Sequence, residues 1–117
     1  MWKLRTIIEE RKIKVKNLKP IHPGEFLLKE FLEPMGISQN KLAREIKVDP
    51  RRINEICLNK RAVSADTALR LGLYFGTSPE LWLNFQKGYE LDCARLAEGH
   101  ELKLQIKLCP QLVHSFA

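Results

Sequence analysis

Between Gln39 and Arg61 the chain gathers side chains able to recognise a polyanion and the base edges it carries. Arg51, Arg52, Asn54 and Glu55 lie together in one short run. Arginine presents a planar fork that matches guanine O6 and N7, and asparagine can pair in the same way with adenine N6 and N7. Glu55 either accepts from cytosine N4 or orients a neighbouring arginine, and the second is the preferred reading. Gln39 and Asn40 suit the nucleic-acid backbone or its nearest base. Lys60 and Arg61 suit phosphates, where they add affinity that is independent of sequence and weakens steeply with salt.

Those groups are useful only if two helices hold them. In QNKLAREIKVDPRRINEICL, from Gln39 to Leu58, the apolar residues Leu42, Ala43 and Ile46 recur at helical spacing, as do Ile53 and Ile56. The break at Lys47-Val48-Asp49 is followed by a strong helix start, because Asp49 can accept from free amides and Pro50 needs no donor in a first turn. Two short helices joined so tightly, with the small Ala43 where they approach, predict a helix-turn-helix. On a wheel centred on Ile53, positions 51, 54, 55 and 58 point outward, with 52 and 59 at the edge.

The charge distribution agrees. The net charge is +6, yet residues 38–61 carry seven Lys/Arg against three Asp/Glu and residues 1–20 carry seven against two, so the rest of the chain is net negative. Basic charge concentrated on a reading unit is what a polyanion-binding face requires. Apolar content of 44% with 29% charged residues is ordinary for one soluble domain of 117 residues. A core this small gains from a partner subunit. No apolar run is long enough to span a membrane and no secretory segment is legible, so a cytoplasmic location is expected. Cys57, Cys93 and Cys109 form no CxxC pair, and His22, His100 and His114 are scattered. Reduced thiols, no metal site and no cofactor are therefore expected. There is no Ser-His-Asp set and no glycine-rich phosphate loop, so no catalytic residue is assigned and an enzyme is not expected.

Three regions are read along the chain: a basic N-terminal arm (1–20), a DNA-binding helix-turn-helix domain (21–97) and a C-terminal tail (98–117). The arm is either a short extended segment suited to phosphates or a minor groove, or a poorly ordered terminus. IHPGEFLLKEFLEPMG predicts a packing helix begun by Pro23 and ended by Pro34 with Gly36. Ser38, Ser64 and Ser78 read as caps of later helices, and Gly72 costs its helix roughly 1 kcal/mol against alanine. In the fifth helix Trp82, Phe85, Tyr89, Cys93 and Leu96 recur at three and four residues, an aromatic stripe of which each member either closes the core of the single chain or faces a second subunit. Gly99 interrupts that pattern. HELKLQIKLC then reads either as an alternating strand or, preferred, as a further helix that Pro110 ends.

HPGEFLLKEFLEPMGIS (22–38), RINEI (52–56) and KRAVSADTALRLGLYFGTSPELWLN (60–84), with the turn-helix between them, resemble the HigA/VapI-type antitoxins of the Xre-like helix-turn-helix regulators. The resemblance covers roughly two-thirds of the chain. It implies an all-α, five-helix Xre/lambda-repressor-like domain with flanking tails that dimerises on a palindromic operator in double-stranded DNA. It also implies repression of its own operon and neutralisation of a HigB/RelE-like toxin that cleaves mRNA. The DNA-facing residues it implies are Gln39, Asn40, Arg51, Arg52, Asn54 and Glu55, with Lys60 and Arg61 on phosphate. The alternatives are a solitary Xre-type regulator without a toxin, or a protein-interaction module that no longer reads DNA. Three positions depart from the family pattern. Lys47 stands where many such turns place glycine, which implies another geometry or an unfavourable backbone angle. Asn59 replaces a usual glycine mildly. Leu58 puts an apolar group beside the reading face, against a thymine methyl or as a weakening contact.

Overall fold

The computed structural model describes residues 19–113, and all regular structure among them is helical. The basic arm over residues 1–20 therefore lies outside the described residues except for Lys19 and Pro20. Helix α1 runs Pro23–Leu27, widens into a π-helical turn at Leu28–Leu32 and closes at Glu33–Met35. Its N-cap is His22, whose Nδ1 accepts from the Gly24 amide at 2.9 Å. Pro34 sits inside the last turn rather than after it. A proline ring there presses on the carbonyl four residues back, and the wide turn, in which the Glu33 amide reaches the Leu28 carbonyl, lies directly before it. Gly36 (φ 64°) ends the helix in the left-handed conformation.

Helices α2 (Gln39–Glu45), α3 (Pro50–Cys57) and α4 (Ala65–Phe75) follow. Each has its own side-chain cap: Ser38 accepts from the Lys41 amide, Asp49 from Arg51 and Ser64 from Thr67. Helix α5 (Pro79–Gln105) is capped by Ser78. Gly72 has a packing reason, since a Cβ there would stand 2.8 Å from the Thr77 carbonyl oxygen.

The core joins Phe26, Leu27, Phe31 and Leu32 of α1 to Leu42, Ala43, Ile53, Ile56, Leu71, Trp82 and Phe85. Phe26 stacks on Phe85 at 4.1 Å, and Trp82 Nε1 donates to Thr77 Oγ1 at 2.9 Å. For Trp82 and Phe85 this corrects the reading of the α5 stripe as a subunit face. Trp82 (0% exposed) and Phe85 (4%) are consumed by the core of the single chain. Tyr89 is half-buried and meets the His22 ring edge-on, Cys93 is half-buried, and only Leu96 of that set is exposed. The physical reason is length: α5 outruns the bundle it packs against, so its first half is core and its second half is solvent-facing.

The end of the chain also differs from expectation. Gly99 does not interrupt α5, which continues to Gln105 before Ile106 turns extended (φ −106°, ψ 122°). The helical reading of His100–Gln105 is correct. Pro110, however, begins a short helix α6 (Pro110–Val113) instead of ending one, as its fixed φ and missing donor favour.

Candidate nucleic-acid interface

The unit formed by α2, the turn Ile46–Asp49 and α3 is built from both sides. Leu42, Ala43, Ile53 and Ile56 are fully buried and fix the two helices back to back. The turn closes through the Val48 amide, which donates to the Ala43 carbonyl at 2.9 Å. Lys47 sits at its apex with φ 63°, the unfavourable backbone angle that its side chain predicts where glycine would be free. Asn59 adopts φ 62° after α3, which asparagine tolerates better.

On the outer surface Arg51 has 81% of its side chain exposed. Asn40 and Lys60 are exposed, while Gln39, Asn54 and Glu55 are half-buried. Glu55 is the hub of this face. It accepts an ion pair from Arg61 Nε at 3.2 Å and a looser one from Arg51 Nε at 3.9 Å. Its carboxylate ties the helix to the following loop. Leu58 is 63% exposed at the C-terminal end of α3.

Arg52 stands apart. Its Nη1 turns back to Asp66 Oδ2 at 2.6 Å and to Thr67 Oγ1 at 3.4 Å, both at the start of α4. Hydrogen bonds from Arg52 and then Arg70 hold the Asp66 carboxyl below the ordinary carboxylate range.

Three supporting residues escape a local reading of the sequence. Arg70 Nε donates to Asp66, while its Nη1 donates to the carbonyl of Ile46 at 2.8 Å and more weakly to that of Lys47 at 3.4 Å. Asp66 joins Arg52 and Arg70 in one network. Gln86 of α5 is buried, and its Oε1 accepts from the Val63 amide at 2.8 Å, which anchors the loop carrying Lys60 and Arg61. The Asp66–Arg70 pair at i, i+4 was the one local signal; Gln86 had none. Cys57, on the inner side of α3, has its thiol pushed up to about 11 by burial, so it stays protonated near neutral pH.

Fold and surface together define a helix-turn-helix domain, and comparison with known proteins agrees. The Helix-turn-helix family model matches residues 28–82. "Virulence-associated protein I" of Dichelobacter nodosus is 52% identical over 80 residues, spanning 68% of this chain and 74% of that protein. "Antitoxin HigA-1" of Vibrio cholerae is 37% identical over 73 residues, 62% of this chain and 69% of its own length. Among solved structures, the Pseudomonas aeruginosa antitoxin HigA with higBA promoter aligns with a TM-score of 0.74 at 45% identity, covering 76% of this chain and 97% of that one. The chain belongs to the HigA/VapI-type branch of the Xre-like helix-turn-helix family.

Proposed function

We propose that this chain is a sequence-specific DNA-binding repressor that acts as the antitoxin of a HigBA-type module. In this reading it represses its own operon and neutralises an mRNA-cleaving, HigB/RelE-like toxin. The observation that carries the reading is the outer face of α3, where Arg51, Asn54 and Glu55 stand in a helix-turn-helix whose 45%-identical structural neighbour was solved with its promoter. Arg51 and Asn54 supply the base-edge hydrogen bonds, Glu55 orients Arg51 and Arg61, and Gln39 and Asn40 meet the flanking backbone. Lys60 and Arg61 contact phosphates. A unit this small reads few bases, so two copies bind a palindrome with half-sites about one helical turn apart.

Binding to the DNA upstream of the chain's own coding sequence tests the reading. Arg51→Ala should lose roughly 1–3 kcal/mol and relax one base preference, whereas Lys60→Ala should weaken every sequence alike and lower the salt dependence. Equal losses on all sequences from both variants would reverse the base and phosphate assignments. Growth rescue by this chain, when the neighbouring gene product is expressed, tests the antitoxin half.

A further inference from the structure

We propose that Asp66 and Arg70 form a positioning clamp that sets the pose of α3, so that sequence discrimination depends on two residues that touch no base. The clamp deepens the DNA-reading assignment above and rests on it.

The geometry acts on α3 at two points. Arg70 reaches from the middle of α4 to the carbonyls of Ile46 and Lys47, the C-cap of α2 and the apex of the turn. Carbonyls at a helix C-terminus lack intrahelical donors and carry the negative end of the dipole, so a guanidinium there both satisfies and neutralises them. It does so beside Lys47, whose left-handed backbone (φ 63°) is the strained point of the unit. The same guanidinium holds Asp66 at 3.0 Å. Asp66 in turn holds Arg52 at 2.6 Å, on the first turn of α3. One carboxylate thus receives two arginines, one gripping the turn and the other standing on the helix that leaves it. Turn and helix cannot shift independently while both bonds last.

This arrangement makes Arg52 a positioning residue rather than a base-reading one. Its side chain is 31% exposed against 81% for the adjacent Arg51, and its Nη1 is committed to α4. Lysine at position 70 would keep the charge but lose the fork that reaches a carboxylate and a carbonyl together.

The test compares binding to a duplex from the chain's own upstream region with binding to a scrambled duplex of equal length, across a range of salt. Asp66→Asn is nearly isosteric, on an exposed site, and removes the negative charge between Arg52 and Arg70. Charge alone would tighten both duplexes equally. The clamp requires affinity for the upstream duplex to fall about tenfold while the scrambled duplex holds or tightens. Arg70→Gln should lower the ratio of the two affinities to a similar degree, with Asp66→Glu retaining most of it. An unchanged ratio in Asp66→Asn and Arg70→Gln overturns the proposal. In the free chain, Arg70→Gln should also speed hydrogen exchange at the Val48 amide that closes the turn; unchanged exchange overturns the clamp whatever happens with DNA. Absence of salt-sensitive binding by the unsubstituted chain would instead overturn the DNA reading itself, and is distinguishable because it needs no substitution.

Discussion

The turns at the two ends of α3 face the same backbone problem and are braced from behind by different groups. Both place a non-glycine residue in the left-handed region, Lys47 on entry and Asn59 on exit. The entry turn is steadied by partly exposed charged groups, Arg70 on two carbonyls and Asp66 between two arginines. The exit turn closes with the Lys60 amide on the Glu55 carbonyl at 2.8 Å, the counterpart of the Val48 amide on the Ala43 carbonyl at the entry. What differs is the buried bracing behind it, where the Val63 amide donates to Gln86 and Gly24 of α1 packs against the Ile56 carbonyl. Exposed ion pairs stabilise little and yield to salt, whereas buried neutral hydrogen bonds and close packing are costly to break. The entry turn is therefore the adjustable end of α3 and the exit turn its fixed end.

The fixed end should give the largest losses. A Cβ on Gly24 would fall 1.8 Å from the Ile56 oxygen and 3.1 Å from the Cys57 Cα, both backbone, so α1 must lift off α3. Gly24→Ala should cost about 3 kcal/mol or more in urea unfolding; a loss below about 1 kcal/mol would mean that the helices can separate freely there. Gln86→Ala comes next. It strips the acceptor from the Val63 amide beneath a residue that is only 3% exposed, and should cost about 1–3 kcal/mol. Gln86→Glu keeps the acceptor but sets a second carboxylate beside Glu90, the present partner of the Gln86 amide. It should fall between the two.

Acid should separate the ends as well. Burial lowers the His22 pKa from its ordinary 6.5, outweighing the opposite pull of Glu25. The folded chain thus keeps the ring neutral, as the Nδ1 that caps α1 requires. Stability linked to this group is complete above about 6.5, the unfolded value, and declines as pH falls from there through the lower folded value. Asp66, at the entry end, is also lowered, but from 3.8, so its contribution is lost only at stronger acidity. Urea unfolding near pH 7 and near pH 5 should show a drop smaller than that of Gln86→Ala. His22→Asn, which retains a cap without titrating in that range, should flatten the drop; an equal drop in this variant would assign the pH dependence elsewhere.

The same division explains what the sequence makes legible. Caps at Ser38, Asp49, Ser64 and Ser78 bond within two or three residues of themselves, and all four are readable from local pattern. Lys47 and Asn59 are likewise readable, since each stands where a turn requires a positive φ. Arg70 and Gln86 act across 24 and 23 residues, and no local spacing encodes such a contact. A helical wheel puts Arg52 at the edge of the outward face and omits α4, the helix that its Nη1 reaches. The α5 stripe misleads for a related reason: periodicity reports which residues share a face, not how far along the helix its partner extends. Gly99 breaks the apolar pattern but not the helix, which continues to Gln105, since one glycine costs only about 1 kcal/mol against alanine.

The smallest expected effect has the opposite sign and compares the two turns directly. A left-handed L-residue costs roughly 1–2 kcal/mol, and glycine gives back part of that relief, about 0.5–1 kcal/mol, through its greater freedom when unfolded. Lys47→Gly should therefore stabilise the chain by about 0.5 kcal/mol. Asn59→Gly should gain less, because asparagine already tolerates this conformation. The two substitutions relieve the same dihedral, so the difference between them reads the side chain alone. If Asn59→Gly stabilised more than Lys47→Gly, the strain would lie at the exit of α3, and the entry turn would not be the end that needs Arg70 to hold it.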